Sequence, residues 1–204
     1  MERLEQLYQM GVRLITLTWN DDNCFGHPHA KDAGRMQLGL TPFGKEAVTY
    51  MTERGILVDV SHLSDGGFYD VAELVKGPFV ASHSNCRELA PATRNLTDDM
   101  IRILAEHGGV CGLNFYPPFL NTDPVDKVSR IERMCEHVKH LVNVGGIECV
   151  GIGTDFDGIE GNLEIADCME MEKLFDALQK KGFCEDDIER IAYKNVERVI
   201  REVM

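Results

Sequence analysis

Five short apolar runs, each followed by a stretch of helical periodicity, constrain the fold of this chain more than any other feature. They lie at residues 12–18, 57–60, 79–81, 110–116 and 149–153. Runs without polar alternation read as strands buried on both faces, the mark of a parallel sheet. The segments between them carry helix signals. Thr41 stands before Pro42, Ser64 before Asp65, and Thr97 before Asp98 and Asp99, while Gly55 and the Gly145-Gly146 pair follow helical stretches. Such residues cap a first turn, complement its positive end or end a last turn. Helices are predicted over residues 1–10, 41–54, 64–75, 97–106, 125–144, 169–180 and 185–193, with a last piece to 203. Strand and helix alternating in this way imply right-handed crossovers, in a doubly wound sheet or a barrel. No G-x-G-x-x-G or G-x-x-x-x-G-K-[ST] follows a strand, which disfavours a nucleotide-binding fold.

Polar residues collect where the strands end: Asn20, His62, His83, Asn114 and Asp155. Convergence from several strand ends is the arrangement of barrel enzymes. Two of the runs, Leu57-Val58-Asp59-Val60-Ser61-His62 and Phe79-Val80-Ala81-Ser82-His83, close on the same Ser-His pair. One such histidine reads as a strand cap, but two at matching positions suggest a shared metal ion. A further ligand or a base must then come from elsewhere. Asp155 is the candidate, either binding the metal or standing off it to take a proton from an attacking water. Arg94 could clamp a substrate carboxylate in a bidentate pair or make an ordinary surface ion pair. Trp19, the single tryptophan, either walls a pocket or fills the mouth of the barrel. With Asn20 and Asn114 it completes the substrate-binding candidates. His27 and His29 read as solvated or lid residues of a long polar loop, a kind of loop that is usually functional. His107, His137 and His140 read as structural.

Composition narrows the partners. The 204 residues are read as a single domain, 1–204, long enough to bury a real core. A net charge of −13 without a basic run argues against nucleic acid. The seven cysteines form no C-x-x-C pair, so a zinc ribbon is not indicated and a reducing, cytoplasmic setting fits best. No apolar run has the length of a membrane span.

Leu17-Thr18-Trp19-Asn20, Asp59-Val60-Ser61-His62, Ala81-Ser82-His83-Ser84-Asn85, the run from Ala92 to Asp99 and the run from Gly153 to Gly158 together resemble the renal (membrane) dipeptidase family of zinc peptidases, its bacterial members above all. The resemblance covers essentially the whole chain. It implies a (β/α)8 TIM-type barrel that hydrolyses dipeptides by a metal-activated water, with two zinc ions bridged by a glutamate. It implies that His62 and His83 hold the second zinc, that Asp155 is the acid/base, and that Arg94 binds the C-terminal carboxylate of the dipeptide. The family's opening His-x-Asp and its bridging glutamate have no counterpart here. Trp19 stands where the family often has a histidine that polarises the scissile carbonyl, a role that passes to Asn20, His27 or His29. The expectation is therefore an incomplete barrel of about five β/α units plus C-terminal helices, the C-terminal portion of a dipeptidase. It would hold at most one zinc ion, weakly, and associate with itself or with an N-terminal complement. The alternative is an inactive remnant.

Overall fold

The computed structural model describes residues 1–204. Five parallel strands form one sheet in sequence order: β1 (Leu14–Thr16), β2 (Leu57–Asp59), β3 (Val80–Ser84), β4 (Val110–Leu113) and β5 (Val150–Ile152). The connecting helices are α1 (Glu2–Gln9) ahead of β1, α2 (Pro42–Glu53), α3 (Asp65–Leu74), α4 (Asp98–Glu106) and α5 (Ile131–Gly145). α6 (Glu172–Lys180), α7 (Glu185–Glu189) and α8 (Asn195–Val203) follow the last strand. This is the expected partial barrel of five β/α units, with β1 and β5 as its two edges. No helix is long and apolar enough to cross a membrane.

The expected caps form. Thr41, Ser64 and Thr97 accept hydrogen bonds from the backbone N–H of Gly44, Gly67 and Met100, at the starts of α2, α3 and α4. Two predicted helices differ. The 125–144 helix begins only at Ile131, because Asp123 and Asp126 take the N–H groups of Val125 and Val128. Val128–Ser129 then pairs as a two-residue strand with Asn162–Leu163. Residues 185–203 run on through a π-turn at Arg190–Lys194, which lets α7 continue into α8.

One face of the sheet is sealed by helices. Val58, Val60, Ala81, Cys111 and Leu113 pack there with Phe68, Phe79, Leu104 and Leu141 in a core of 34 buried residues. The other face has its own small cluster, in which Leu57, Val80 and Val110 meet Val199 of α8. α8 is pinned under the N-terminal ends of the strands: Arg198 donates to the Gly108 carbonyl at 2.7 Å, and Asn195 donates to those of Ile147 and Val150 at 2.8 Å each. α8 braces that end. The chemistry-bearing side chains stand at the opposite end.

Candidate active site

The site is built on a distortion of β3. Between Ala81 and Ser84 the strand advances three residues while β4, paired beside it, advances two, from Cys111 to Leu113. This is a bulge, and bulges re-aim side chains. It presses the Ser82 carbonyl against Gly112 and Gly153, where a Cβ would lie 2.0 Å from that oxygen. The ladder between β2 and β3 is registered only at Asp59 and Val80. Beyond it, side chains of β2 and its extension satisfy the bulged backbone. Asp59 Oδ1 accepts from the Ser61 and Ser82 N–H groups, each at 2.9 Å, and Ser61 Oγ accepts from the His83 N–H at 3.1 Å. Asp59 Oδ2 accepts from the hydroxyls of Thr16 and Ser82, both at 2.6 Å. One fully buried carboxylate thus ties three strands together.

Two non-glycine residues have a left-handed backbone, His62 at φ 70° and Asp155 at φ 62°. Strain of this kind gathers at functional sites, and both were singled out in the sequence. The turn at His62 is held by the His29 N–H, which donates to the His62 carbonyl at 2.8 Å. The Asn20 Oδ1 lies 3.2 Å from His62 Nδ1. The Nε2 atoms of His62 and His83 face each other 3.0 Å apart. Burial, reinforced by the nearby Arg94, holds His62 down at about 3 and pushes His83 down as well, so both imidazoles are neutral at pH 7. Asp155 Oδ2 accepts from Asn114 Nδ2 at 3.0 Å. His62, His83 and Asp155 line one open cleft of about 500 Å³, with Thr16 and Trp19 on its wall.

The other sequence candidates take more specific places. Trp19 is 69% exposed at the rim and fills no core. Asn20 Oδ1 contacts His62, and Asn114 is fully buried beneath Asp155, to which it donates. Arg94 is no surface ion pair. It is 5% exposed, lies 5.4 Å over the Phe119 ring, and has only long bonds to the His83 carbonyl and Ser84 Oγ, at 3.2 and 3.4 Å. No carboxylate pairs with it and its Nε has no partner. Burial lowers it from 12.5 to about 10, so the guanidinium remains charged at neutral pH. Thr18 Oγ1, on the cleft wall, is likewise buried without a partner. His27 pairs with Asp22 on the surface. His29 is nearer the site than a lid residue would be: its ring lies 6.1 Å from that of His62, and its Nδ1 lies 2.8 Å from Thr93 Oγ1. His107, His137 and His140 are structural, each bonded to a helix or loop partner. Asp59, Ser61 and Ser82 were missed. The available signal was an acidic residue inside an otherwise apolar strand, which is seldom buried unless it is paired.

Comparison with known proteins bears on what this geometry does. Residues 1–204 match the model of a peptidase family described as membrane dipeptidase, family M19. The chain belongs to the membrane dipeptidase family. It is 35% identical to an uncharacterized dipeptidase of Schizosaccharomyces pombe, over 96% of this chain and 48% of that one. It is 30% identical to the dipeptidase tcpJ of Claviceps purpurea, over 98% and 47%. A metallopeptidase of Rhodobacter sphaeroides, solved with a phosphinate mimic of the dipeptide L-Ala-D-Ala, superposes with a TM-score of 0.93 at 31% identity, over 100% of this chain and 59% of that one. This chain therefore spans about half the length of the fungal relatives and about three-fifths of that structure.

For a family of metallopeptidases the donor set matters. Zinc ligated by two imidazoles at about 2.0–2.1 Å in a tetrahedral arrangement sets their nitrogens about 3.3 Å apart, close to the 3.0 Å between the two Nε2 atoms. The pair fits as two ligands. No third histidine, cysteine or carboxylate joins them in a metal-binding group, whereas a zinc site takes at least three protein ligands.

Proposed function

We propose that this cleft is the part of a zinc dipeptidase site that cleaves a dipeptide, with His62 and His83 as metal ligands, Asp155 as acid/base and Arg94 as the carboxylate clamp. The observation that carries the reading is the conjunction of two neutral imidazoles, apposed 3.0 Å apart, with a buried, unpaired guanidinium beside them. Asp59 and Asp155 act on this guanidinium only through space, and a buried charge with no carboxylate in contact suits an anionic ligand. The C-terminal carboxylate of a dipeptide has that charge and the planar shape a guanidinium matches. The dipeptide mimic bound by the Rhodobacter sphaeroides relative supports the same substrate class.

Zinc, when bound, supplies Lewis acidity and a water that ionises near neutral pH. The chain's own residues do the rest. Arg94 fixes one end of the substrate. Asp155, presented by its left-handed turn and steadied by Asn114, takes the proton of the attacking water and returns it to the leaving amine. Thr18, whose buried hydroxyl has no partner and which lines the cleft, serves in this reading as a donor to the scissile carbonyl. Trp19 borders the entrance.

Two imidazoles alone hold zinc weakly, so full activity in this reading needs further ligands from strands that extend the sheet. The second reading, a non-catalytic half-chain that pairs its free edges with itself or with a complement, draws support from the exposed apolar rim at Leu14, Ile200 and Met204. Four of the seven free cysteines are buried as small hydrophobes, which accords with a reducing, cytoplasmic setting. The deciding experiment assays Ala-Ala and Gly-Leu with added zinc, using this chain alone and with an N-terminal segment of a relative supplied in trans. The reading expects turnover only with the complement. Turnover by the chain alone would remove the remnant reading, and silence in both arms would remove the dipeptidase one.

A further inference from the structure

His83 has one nitrogen for a metal and one for the protein, and the hydroxyl of Ser82 decides which is which. Ser82 Oγ lies 2.6 Å from Asp59 Oδ2 and 2.7 Å from His83 Nδ1. A hydroxyl carries a single proton and can accept as well as donate. The Asp59 carboxylate is surrounded by four donors, two of them backbone N–H groups that can only donate, and in that setting it accepts, so the oxygen 2.6 Å from it holds the proton between them. Ser82 therefore donates to Asp59, and its contact with His83 is made by the imidazole N–H donating to Ser82 Oγ. Ser61 Oγ, 3.3 Å from Ser82 Oγ, already accepts from the His83 backbone, so backbone and ring are steadied from the same strand.

We infer that Asp59 is a positioning residue: acting through the Ser82 hydroxyl, it locks His83 with its proton on Nδ1 and so presents a bare Nε2 to the metal. The inference rests on the metal-site reading only for the use to which that Nε2 is put. A carboxylate behind a metal-binding histidine is a common device for fixing tautomer and ring orientation. Here it is relayed by a hydroxyl, and the carboxylate is itself anchored by Thr16 and by two backbone N–H groups.

Asp59→Asn makes a sharp test because it reverses the relay. An amide N–H₂ turned toward Ser82 donates to its oxygen, and the hydroxyl proton is then free for His83 Nδ1. The ring proton moves to Nε2, into the metal position. Ser82→Ala removes the relay without reversing it. The readouts are the His83 tautomer, from long-range proton–nitrogen correlation spectra of the metal-free chain at a pH where the ring is neutral, and zinc affinity by competition with a chelator. The expected results are Nδ1–H in the parent chain, Nε2–H in Asp59→Asn, a mixture in Ser82→Ala, and a zinc affinity 10–100-fold lower in both variants. An Nε2–H tautomer in the parent chain would overturn the inference without need of any variant. So would an unchanged tautomer in a folded Asp59→Asn chain. If the tautomers behave as stated and the parent chain takes up no zinc even with the N-terminal segment of a relative supplied in trans, the relay stands and the metal reading fails.

Discussion

Replacing Arg94 by methionine tests whether the guanidinium is there for a ligand or for the fold. Burial lowers Arg94 from 12.5 to about 10, and at 1.36 kcal/mol per pKa unit this corresponds to a cost on the order of 3 kcal/mol for keeping the charge inside. Against it stand two long hydrogen bonds, to the His83 carbonyl and Ser84 Oγ, which together return about 1–2 kcal/mol. Methionine keeps an unbranched apolar stem against Phe119, drops the charge and leaves no donor stranded. The folded chain should gain about 1–2 kcal/mol, seen as a higher urea midpoint at unchanged slope and a melting temperature raised by roughly 2–8 °C. A second arm adds a carboxylate ligand. A dipeptide at a hundred times its dissociation constant should stabilise the parent chain by about 2.7 kcal/mol and leave Arg94→Met nearly unmoved. If Arg94→Met proves less stable than the parent by 1 kcal/mol or more, the guanidinium is a structural support, and the argument from its unpaired charge to a carboxylate substrate is refuted.

Further predictions address the strained and crowded parts of the rim and one core histidine. Asp155→Asn keeps both a tolerance for the left-handed backbone and an acceptor for Asn114, so urea unfolding should shift by less than about 0.5 kcal/mol while turnover of the complemented enzyme falls at least ~100-fold. Gly112→Ala drives a Cβ into the Ser82 carbonyl; it should cost about 1–3 kcal/mol and weaken zinc binding by displacing His83, whereas Gly77→Ala, with open space around its Cβ, should stay within about 0.5 kcal/mol. Burial lowers His137 from 6.5 to about 4, and it accepts from the Cys86 N–H while bonded to the Leu120 carbonyl. Because the folded chain holds this ring neutral, its contribution, on the order of 3 kcal/mol, is complete above pH 6.5 and is lost as pH falls through about 4. His137→Gln, which bonds at both ends but does not titrate there, should flatten that part of the stability–pH curve, and an unchanged slope would contradict the assignment.

The parts of this structure legible in the sequence are those governed by local rules. Alternating apolar runs and helical stretches gave five parallel strands in order, and Thr41, Ser64 and Thr97 marked helix starts because capping is decided within four residues. The start of α5 was misplaced for a local reason too: the Asp123 and Asp126 turns compete with the helix for the same N–H groups. His62, His83 and Asp155 could be nominated because each ends a strand, and the structure brings them to one cleft. The support around them was not legible. Asp59 and Ser82 are 23 residues apart, and their bond exists only because β2 and β3 lie side by side. Nor does the sequence show that Ser82 sits in a bulge, since a bulge is a mismatch between two strands and belongs to neither. Nor could the sequence show that Asn20 Oδ1 meets His62 and that Asn114 donates to Asp155, since an amide at a strand end looks the same whether it faces a ligand or another side chain.

Several departures from ideal structure gather at one end of the sheet. Two left-handed non-glycine residues, a bulged strand and an unpaired buried guanidinium all lie at the C-terminal ends of the strands. The N-terminal ends are held by Val199 on Leu57, Val80 and Val110 and by the side chains of Asn195 and Arg198 on strand-end carbonyls. Each left-handed residue costs roughly 1–2 kcal/mol, and a domain's net stability is only about 5–15 kcal/mol. Strain at the rim can persist only if packing elsewhere over-determines the backbone, and the helix-covered core and the α8 plug supply that packing. His62→Gly separates the two demands. It relieves the backbone at the rim, at the entropic cost of a glycine, about 0.5–1 kcal/mol, and should leave the chain as stable as before or slightly more so. It also removes one of the two apposed nitrogens, and with it the zinc affinity. A loss of stability above about 2 kcal/mol on that substitution would mean that His62 is held in place by the fold's own requirements, and its strain would cease to be an argument for function.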